Sequence, residues 1–165
     1  VFEHVRGVHG VRSGYSGGNA PHPSYEDVST ETTGYAEAIE ITYDPRVVTY
    51  GQLLRVYFSV ATDPTQLNRQ GPDSGTSYRG SIFAANTDQA RVARAYIAQL
   101  TAAHTYSAPI VTRVDMLTRF WPAEDYHQNY LSLHPDQPYI VFNDLPKQQN
   151  LQRLLPAMYT PARAP

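Results

Sequence analysis

Three groups of residues have the types and spacing to do chemistry. The first centres on Glu37. Residues 36–43, Ala-Glu-Ala-Ile-Glu-Ile-Thr-Tyr, alternate as a half-buried strand does, and Asp44-Pro45 stops the run. Alternate side chains of a strand share a face, so Glu37 stands with Ile39, Ile41 and Tyr43, opposite Glu40 and Thr42. A carboxyl on an apolar face loses water, which raises its pKa and favours the neutral acid. Such an acid can give a proton or a hydrogen bond to a developing anion. The plainer alternative is a strand-end carboxylate that curls to solvent. The second group is the polar run 63–77, whose end is flanked by Asp73 and Tyr78. Fifteen residues without helix or strand are unusual in a compact domain, and such loops tend to carry function. A surface loop without chemistry is the alternative. The third is Glu124-Asp125-Tyr126-His127, two acids, a phenol and an imidazole in a row. Acids at a helix start also cap it, which is the commoner reason for them. The six histidines show no tight ligand spacing, so no metal is expected. Gly14 to Gly18 is not a phosphate loop, because no Gly-Lys-Ser/Thr follows.

These groups need elements to hold them. Val1, Phe2 and Val5 read as the last turns of an amphipathic helix that has no start in the chain. Residues 8–15 read as a strand, and 24–30 as a helical turn after a Pro-bounded loop. Thr49 caps a helix with Tyr50, Leu53, Leu54, Tyr57 and Phe58 on one face. A strand is expected from Tyr78 to Ala85. Thr87 then caps a helix facing inward with Val92, Ala93, Tyr96, Ile97 and Leu100. Residues 108–114 are a further strand, and 120–131 a strand end running into a short helix. The stretch 132–165 reads as an irregular extension with a last helix around 148–155 and loose prolines at 161 and 165. Strands joined through helices on one side argue an α+β domain, a single one at 165 residues.

Composition narrows the class. Apolar residues are 41% and charged residues 17%, which is a folding composition. Thirteen Lys and Arg against fifteen Asp and Glu give a net charge of -2, a poor balance for binding phosphates of nucleic acid. No run approaches the ~18 apolar residues of a membrane span. Thirteen of the nineteen aromatics are Tyr, so aromatic surface with a polar tip is wanted in several places. Cysteine is zero, which excludes disulfides, thiolate metal sites and a thiol nucleophile within these residues.

The motifs together resemble one family. They are Gly14-Tyr15-Ser16-Gly17-Gly18, Pro23-Ser24-Tyr25-Glu26-Asp27-Val28, Thr33-Gly34-Tyr35-Ala36-Glu37-Ala38 and Tyr43-Asp44-Pro45, then the run 63–79 and Ala123-Glu124-Asp125-Tyr126-His127-Gln128. In that order they are similar to the peptide-methionine (S)-S-oxide reductases, the A-type methionine sulfoxide reductases. Pro138 to Phe142 and Asp144 to Lys147 resemble the tail of one subset. The resemblance implies a two-layer ferredoxin-like plait and reduction of the S-epimer of methionine sulfoxide, free or in proteins. It implies Glu37 as the acid, Tyr25 and Tyr78 as phenols on the sulfoxide oxygen, and Asp73 as a substrate-binding, orienting group. Tyr126 and His127 would border the substrate. In the family a Cys thiolate attacks sulfur, a Cys sulfenic acid forms, and thiols, usually of thioredoxin, reduce it. No bound cofactor is implied. A monomer is expected, and a cytoplasmic location ahead of a secreted or periplasmic one.

Several departures qualify the resemblance. The family's Gly-Cys-Phe-Trp is not in the chain; alignment puts its Cys about eight residues before Phe2. A sheet strand that precedes this Cys in the family would be absent too, with a loss of stability. Position 35 is Tyr where the family commonly has His, and position 29 is Ser where many members have Cys. A resolving Cys is also absent from the tail. Two other readings stand beside the reductase. One is an inactive relative that binds methionine sulfoxide or a partner protein. The other is a hydrolase pairing Glu37 with Asp73 or Glu124 in a Tyr-lined sugar cleft.

Overall fold

The computed structural model describes residues 1–128 and 130–161. Among the described residues, seven strands and five α-helices follow one another in an α+β order. Strand β1 (Val8–Ser16) pairs antiparallel with β2 (Ala36–Tyr43) and with β7 (Phe120–Pro122), giving the order β2-β1-β7. Strands β3 (Arg69–Gln70) and β4 (Asp73–Ser74) form a small antiparallel hairpin. Strands β5 (Ser81–Ala84) and β6 (Arg113–Met116) pair in parallel across α3 (Thr87–Ala102). Parallel and antiparallel pairing are thus both present, on separate sheets among the described residues.

The main core lies where the first and last segments meet. Phe2, Val5, Val48, Leu53, Val56, Val60, Leu151 and Leu155 form one buried cluster. Helix α2 (Tyr50–Val56) enters it with Leu53 and Val56, and turns Leu54 into a second cluster with Phe58 and Ala93. Its start is fixed as expected, because the Thr49 hydroxyl accepts from the Gln52 N–H at 3.2 Å. Helix α3 instead takes Asn86 as its cap, whose side chain accepts from the Gln89 N–H at 2.9 Å, so Thr87 is its first helical residue. Tyr15, Val28, Tyr35 and Ala123 make a third cluster, Val28 coming from the short helix Tyr25–Ser29.

Several elements differ from their sequence signals. Phe2–His4 is a single 3-10 turn rather than the end of an α-helix, and its backbone continues extended through Val5. The run 63–77 is not without structure: it holds the β3–β4 hairpin. Tyr78 is not in a strand but closes the 3-10 turn Thr76–Tyr78, because Gly75 at φ 142° redirects the chain first. Strand β6 begins at Arg113, five residues later than its apolar run suggests. The last segment is helical, with α4 (Tyr130–Leu133), a π-turn Ile140–Asp144 and α5 (Leu145–Leu154). The last helix is expected around 148–155 and α5 lies there, but the prolines before it hide the earlier turns; Leu151 of α5 is fully buried in the main core. Asn129 and residues 162–165, which include the expected short helix's middle and the final proline, lie outside the described residues.

The facing of β2 is also only half as the alternation predicts. Ile41 and Tyr43 pack against the main core, but Ile39 is 45% exposed and Glu37 lies open to solvent. Among the described residues β2 is an edge, hydrogen bonded to β1 alone, and its Glu37 end is left exposed. No helix among the described residues is long and apolar enough to cross a membrane.

If the tail is part of the fold, Leu151→Ala should cost about 2–5 kcal/mol, the usual result of emptying a buried leucine site. Urea denaturation measures it as a lower midpoint at unchanged slope. A midpoint within error of the parent would show that α5 contributes nothing to the cooperative unit.

Candidate active site

Register links the first group to the third through Tyr15. Tyr15 on β1 sits directly opposite Glu37 on β2, and directly opposed residues share a sheet face. Tyr15 is buried and its hydroxyl donates to Glu124 Oε2 at 3.1 Å. Burial pushes its phenol pKa up, reinforced by the Glu124 and Glu37 carboxylates. The other Glu124 oxygen accepts the backbone N–H of Tyr25 at 2.8 Å. Glu124 therefore ties β1 to the start of helix α1 (Tyr25–Ser29), where Tyr25 is the first residue. Ser24 and Asp27 complete a reciprocal cap on that helix, at 3.1 Å and 2.9 Å.

Glu37 faces a second carboxylate and a phenol. Loss of water around it raises its pKa; the Tyr78 hydroxyl opposes this, and the charges of Asp73 and Glu31 add to it. Glu37 keeps contact with solvent, so desolvation here comes from surrounding groups and not from enclosure. The Tyr78 phenol is itself pushed up by burial, then by Glu37, Asp73 and Tyr25. Asp73, at the start of β4, accepts a hydrogen bond from the Tyr139 hydroxyl. Burial and that bond push the Tyr139 phenol up as well. Glu37, Asp73 and Tyr78 thus gather in one place, with Tyr25 beside Tyr78. A cavity of about 300 Å³ opens next to them, lined by Asp73, Tyr139, Gln66, Gln70, Asn143 and Lys147 among others.

Tyr126 and His127 lie on the Tyr25 side. The His127 ring is 4.8 Å from Tyr25 and 4.3 Å from Tyr126. The Nε2 atom of His127 is buried without a hydrogen-bond partner, while Tyr126 is 61% exposed. The departures at positions 35 and 29 have local explanations. Tyr35 is buried, donates to the Ala20 carbonyl, and fills the space that only a glycine at 18 leaves open. Ser29 donates to the Tyr25 carbonyl at 2.7 Å and so serves helix α1.

Sequence reasoning missed Tyr139, Glu31 and Tyr15. Tyr139 comes from the segment that prolines disguised. Glu31 carried no signal, being one acid in a Thr-rich turn. Tyr15 could have been found from the pairing of β1 with β2, since the alternation of both runs was visible. Among the described residues no three His, Asp or Glu side chains group as metal ligands.

An α+β chain with acids and phenols converging at a sheet edge has the make-up of an enzyme. The family model for peptide methionine sulfoxide reductase matches residues 1–157. A Mesorhizobium japonicum protein named peptide methionine sulfoxide reductase MsrA 2 is 59% identical over 160 residues, 97% of this chain and 82% of its own length. A Thermus thermophilus protein named peptide methionine sulfoxide reductase MsrA is 43% identical, covering 98% of this chain and 90% of its own. The crystal structure of reduced Mxr1 from Saccharomyces cerevisiae superimposes with a TM-score of 0.73 at 30% identity, over 79% of this chain and 74% of that one. The chain belongs to the peptide methionine sulfoxide reductase family, whose members are oxidoreductases. This replaces the hydrolase reading of the acid pair.

The raised pKa of Glu37 has a consequence for stability. The folded chain holds this proton more tightly than the unfolded chain does. Stability from Glu37 is then full below the ordinary carboxyl range and is lost as pH rises through its raised folded value. Glu37→Gln should therefore gain stability relative to the parent on going from about pH 4 to about pH 7. Paired denaturation curves measure the gap, and a gap that narrows with pH would contradict the raised value.

Proposed function

We propose that this site holds methionine sulfoxide, free or in proteins, for reduction of the S-epimer to methionine. The observation that carries the proposal is the meeting of a protonatable Glu37 with the Tyr78 phenol and Asp73. A sulfoxide oxygen is a strong acceptor and leaves poorly until protonated. Glu37 supplies the proton, while Tyr25 and Tyr78 donate hydrogen bonds to the same oxygen. Neutral donors suit the task, because a cation would over-stabilise a neighbouring thiolate. Asp73, held by Tyr139, orients the substrate. Tyr126 and His127 border the substrate on the Tyr25 side.

The electrons come from a thiol. A thiolate attacks the sulfoxide sulfur, the oxygen passes to the thiol sulfur, and methionine leaves a sulfenic acid behind. Sulfur of the substrate gains two electrons and the thiol loses two. Two further thiols, those of thioredoxin or a similar reductant, return the sulfenic acid to thiol with release of water. The chain has no cysteine, so its own contribution is the acid-and-phenol half of the site. In the family that thiol is the Cys of a Gly-Cys-Phe-Trp motif. No prosthetic group is needed, and a monomer suffices for every step. Lack of a cysteine also favours a second reading for these 165 residues alone, a binder of methionine sulfoxide without turnover.

Methyl p-tolyl sulfoxide with dithiothreitol separates these. The 165-residue chain should show no turnover. The same chain extended at its front by the family's Cys-containing segment should reduce the S-sulfoxide selectively. In the extended protein Glu37→Gln should slow the reductive step by about 10²–10⁴, the usual reach of general acid catalysis. Tyr25→Phe and Tyr78→Phe should each cost less, since either phenol can serve the oxygen alone. Turnover by the unextended chain, or an unchanged rate in Glu37→Gln, would overturn the mechanism.

A further inference from the structure

Glu31 sits outside the group that meets substrate, yet it is the most heavily bonded carboxylate of the region. Its residue adopts φ 61°, a left-handed conformation that non-glycine residues seldom occupy without compensation. The compensation is at its side chain. Oε2 accepts the Ser77 N–H at 2.8 Å and the Thr76 hydroxyl at 2.8 Å, and Oε1 accepts the Ser77 hydroxyl at 2.5 Å. Thr76 and Ser77 are the first two residues of the 3-10 turn that ends in Tyr78. Ser77 is buried, so the turn cannot rotate without breaking these bonds. A second feature points the same way. A Cβ on Gly75 would fall 2.5 Å from Glu31 Oε1, so only glycine there lets the carboxylate reach the turn.

We infer that Glu31 is a positioning residue: by gripping the Thr76–Tyr78 turn it sets the Tyr78 hydroxyl against Glu37. The arm of this lever is short, because Tyr78 follows directly on the two residues held. Arg79, next in the chain, braces the other side, donating to the Thr76 carbonyl and the Gly34 carbonyl, both at 2.9 Å. The turn is thus fixed to the segment between α1 and β2 from two directions. That segment leads straight into Glu37, so one short stretch of chain places both the acid and its phenol. The inference rests on the proposed reading only for what the phenol does to substrate; the support itself is independent of turnover.

Two effects of Glu31 on Glu37 must be separated. Its charge raises the Glu37 pKa directly, while the Tyr78 hydroxyl it positions lowers it. The charged and titratable groups around Glu37 are Asp73, Glu31, Tyr78 and Tyr15, and those around Glu31 are Arg79 and Glu37. Carbon-detected NMR of the side-chain carboxyls gives the titration of Glu37 in the full 165-residue chain without any turnover. Glu31→Gln removes the charge but keeps an acceptor for the Ser77 N–H, so the Glu37 midpoint should fall. Glu31→Ala removes charge and grip together, so its midpoint should lie above that of Glu31→Gln. In a Tyr78→Phe background the two variants should titrate alike. Where Glu31→Ala does not fold, the pair Thr76→Val with Ser77→Ala removes donors at constant charge, and the Glu37 midpoint should rise above the parent's. Equal midpoints in Glu31→Gln and Glu31→Ala with Tyr78 present, or an unmoved midpoint in the Thr76→Val, Ser77→Ala pair, would overturn the inference. A purely structural Glu31 would lower thermal stability and leave these differences at zero. If the chain titrates as expected but the extended protein shows no reductase activity, the functional reading fails and the positioning role stands.

Discussion

Three carboxylates, Glu31, Glu37 and Asp73, converge at one edge of the molecule, and the charges of Glu31 and Asp73 raise the cost of charging Glu37. Like charges at close range cannot all be solvated by a protein surface, so each must be answered by a donor. Hydroxyls answer all three. Thr76 and Ser77 hold Glu31, Tyr139 holds Asp73, and Tyr78 stands against Glu37. Hydroxyl donors stabilise a carboxylate less than a guanidinium would. Glu37, with one phenol and two like charges, is left with its pKa raised. Tyr suits this edge because a phenol packs its ring and leaves a donor at the tip.

Elements from every part of the chain meet at this edge. Strands β1 and β2 bring Tyr15 and Glu37 into register. The β3–β4 hairpin carries Asp73, the 3-10 turn carries Tyr78, and the segment before α5 brings Tyr139. Glu124 fastens Tyr25 to the opposite side through the β7 end. Because helix α5 is anchored by Leu151 in the main core, the position of Tyr139 is coupled to the stability of the whole domain. Buried clusters thus do more than hold the fold. They fix the donors that partner the acids.

What the sequence revealed followed local physics. Alternation over 36–43 located β2 and pointed at Glu37, and helical spacing located α2 and most of α3. The order of the short motifs pointed to Tyr25, Asp73 and Tyr78. Parity overreached at Glu37, because it assumes a covered face along the full strand and β2 is an edge among the described residues. Long-range partners were illegible for a plain reason. Nothing in Tyr139 or Glu31 announces a hydrogen bond to a residue 66 or 46 positions away. Prolines hid the tail for a different reason: they interrupt periodicity without preventing burial, so α5 read as a weak helix in an irregular stretch.

The central claim is that this acid-and-phenol cluster recognises a sulfoxide oxygen. Chemical-shift mapping of the 165-residue chain with the S- and R-sulfoxides of N-acetylmethionine methylamide, and with the parent thioether, tests it most directly. The account predicts shifts centred on Tyr25, Glu37 and Tyr78 with the S-sulfoxide, weaker ones with the R-sulfoxide, and none there with the thioether. Equal shifts from all three ligands, or shifts confined to another part of the surface, would contradict it.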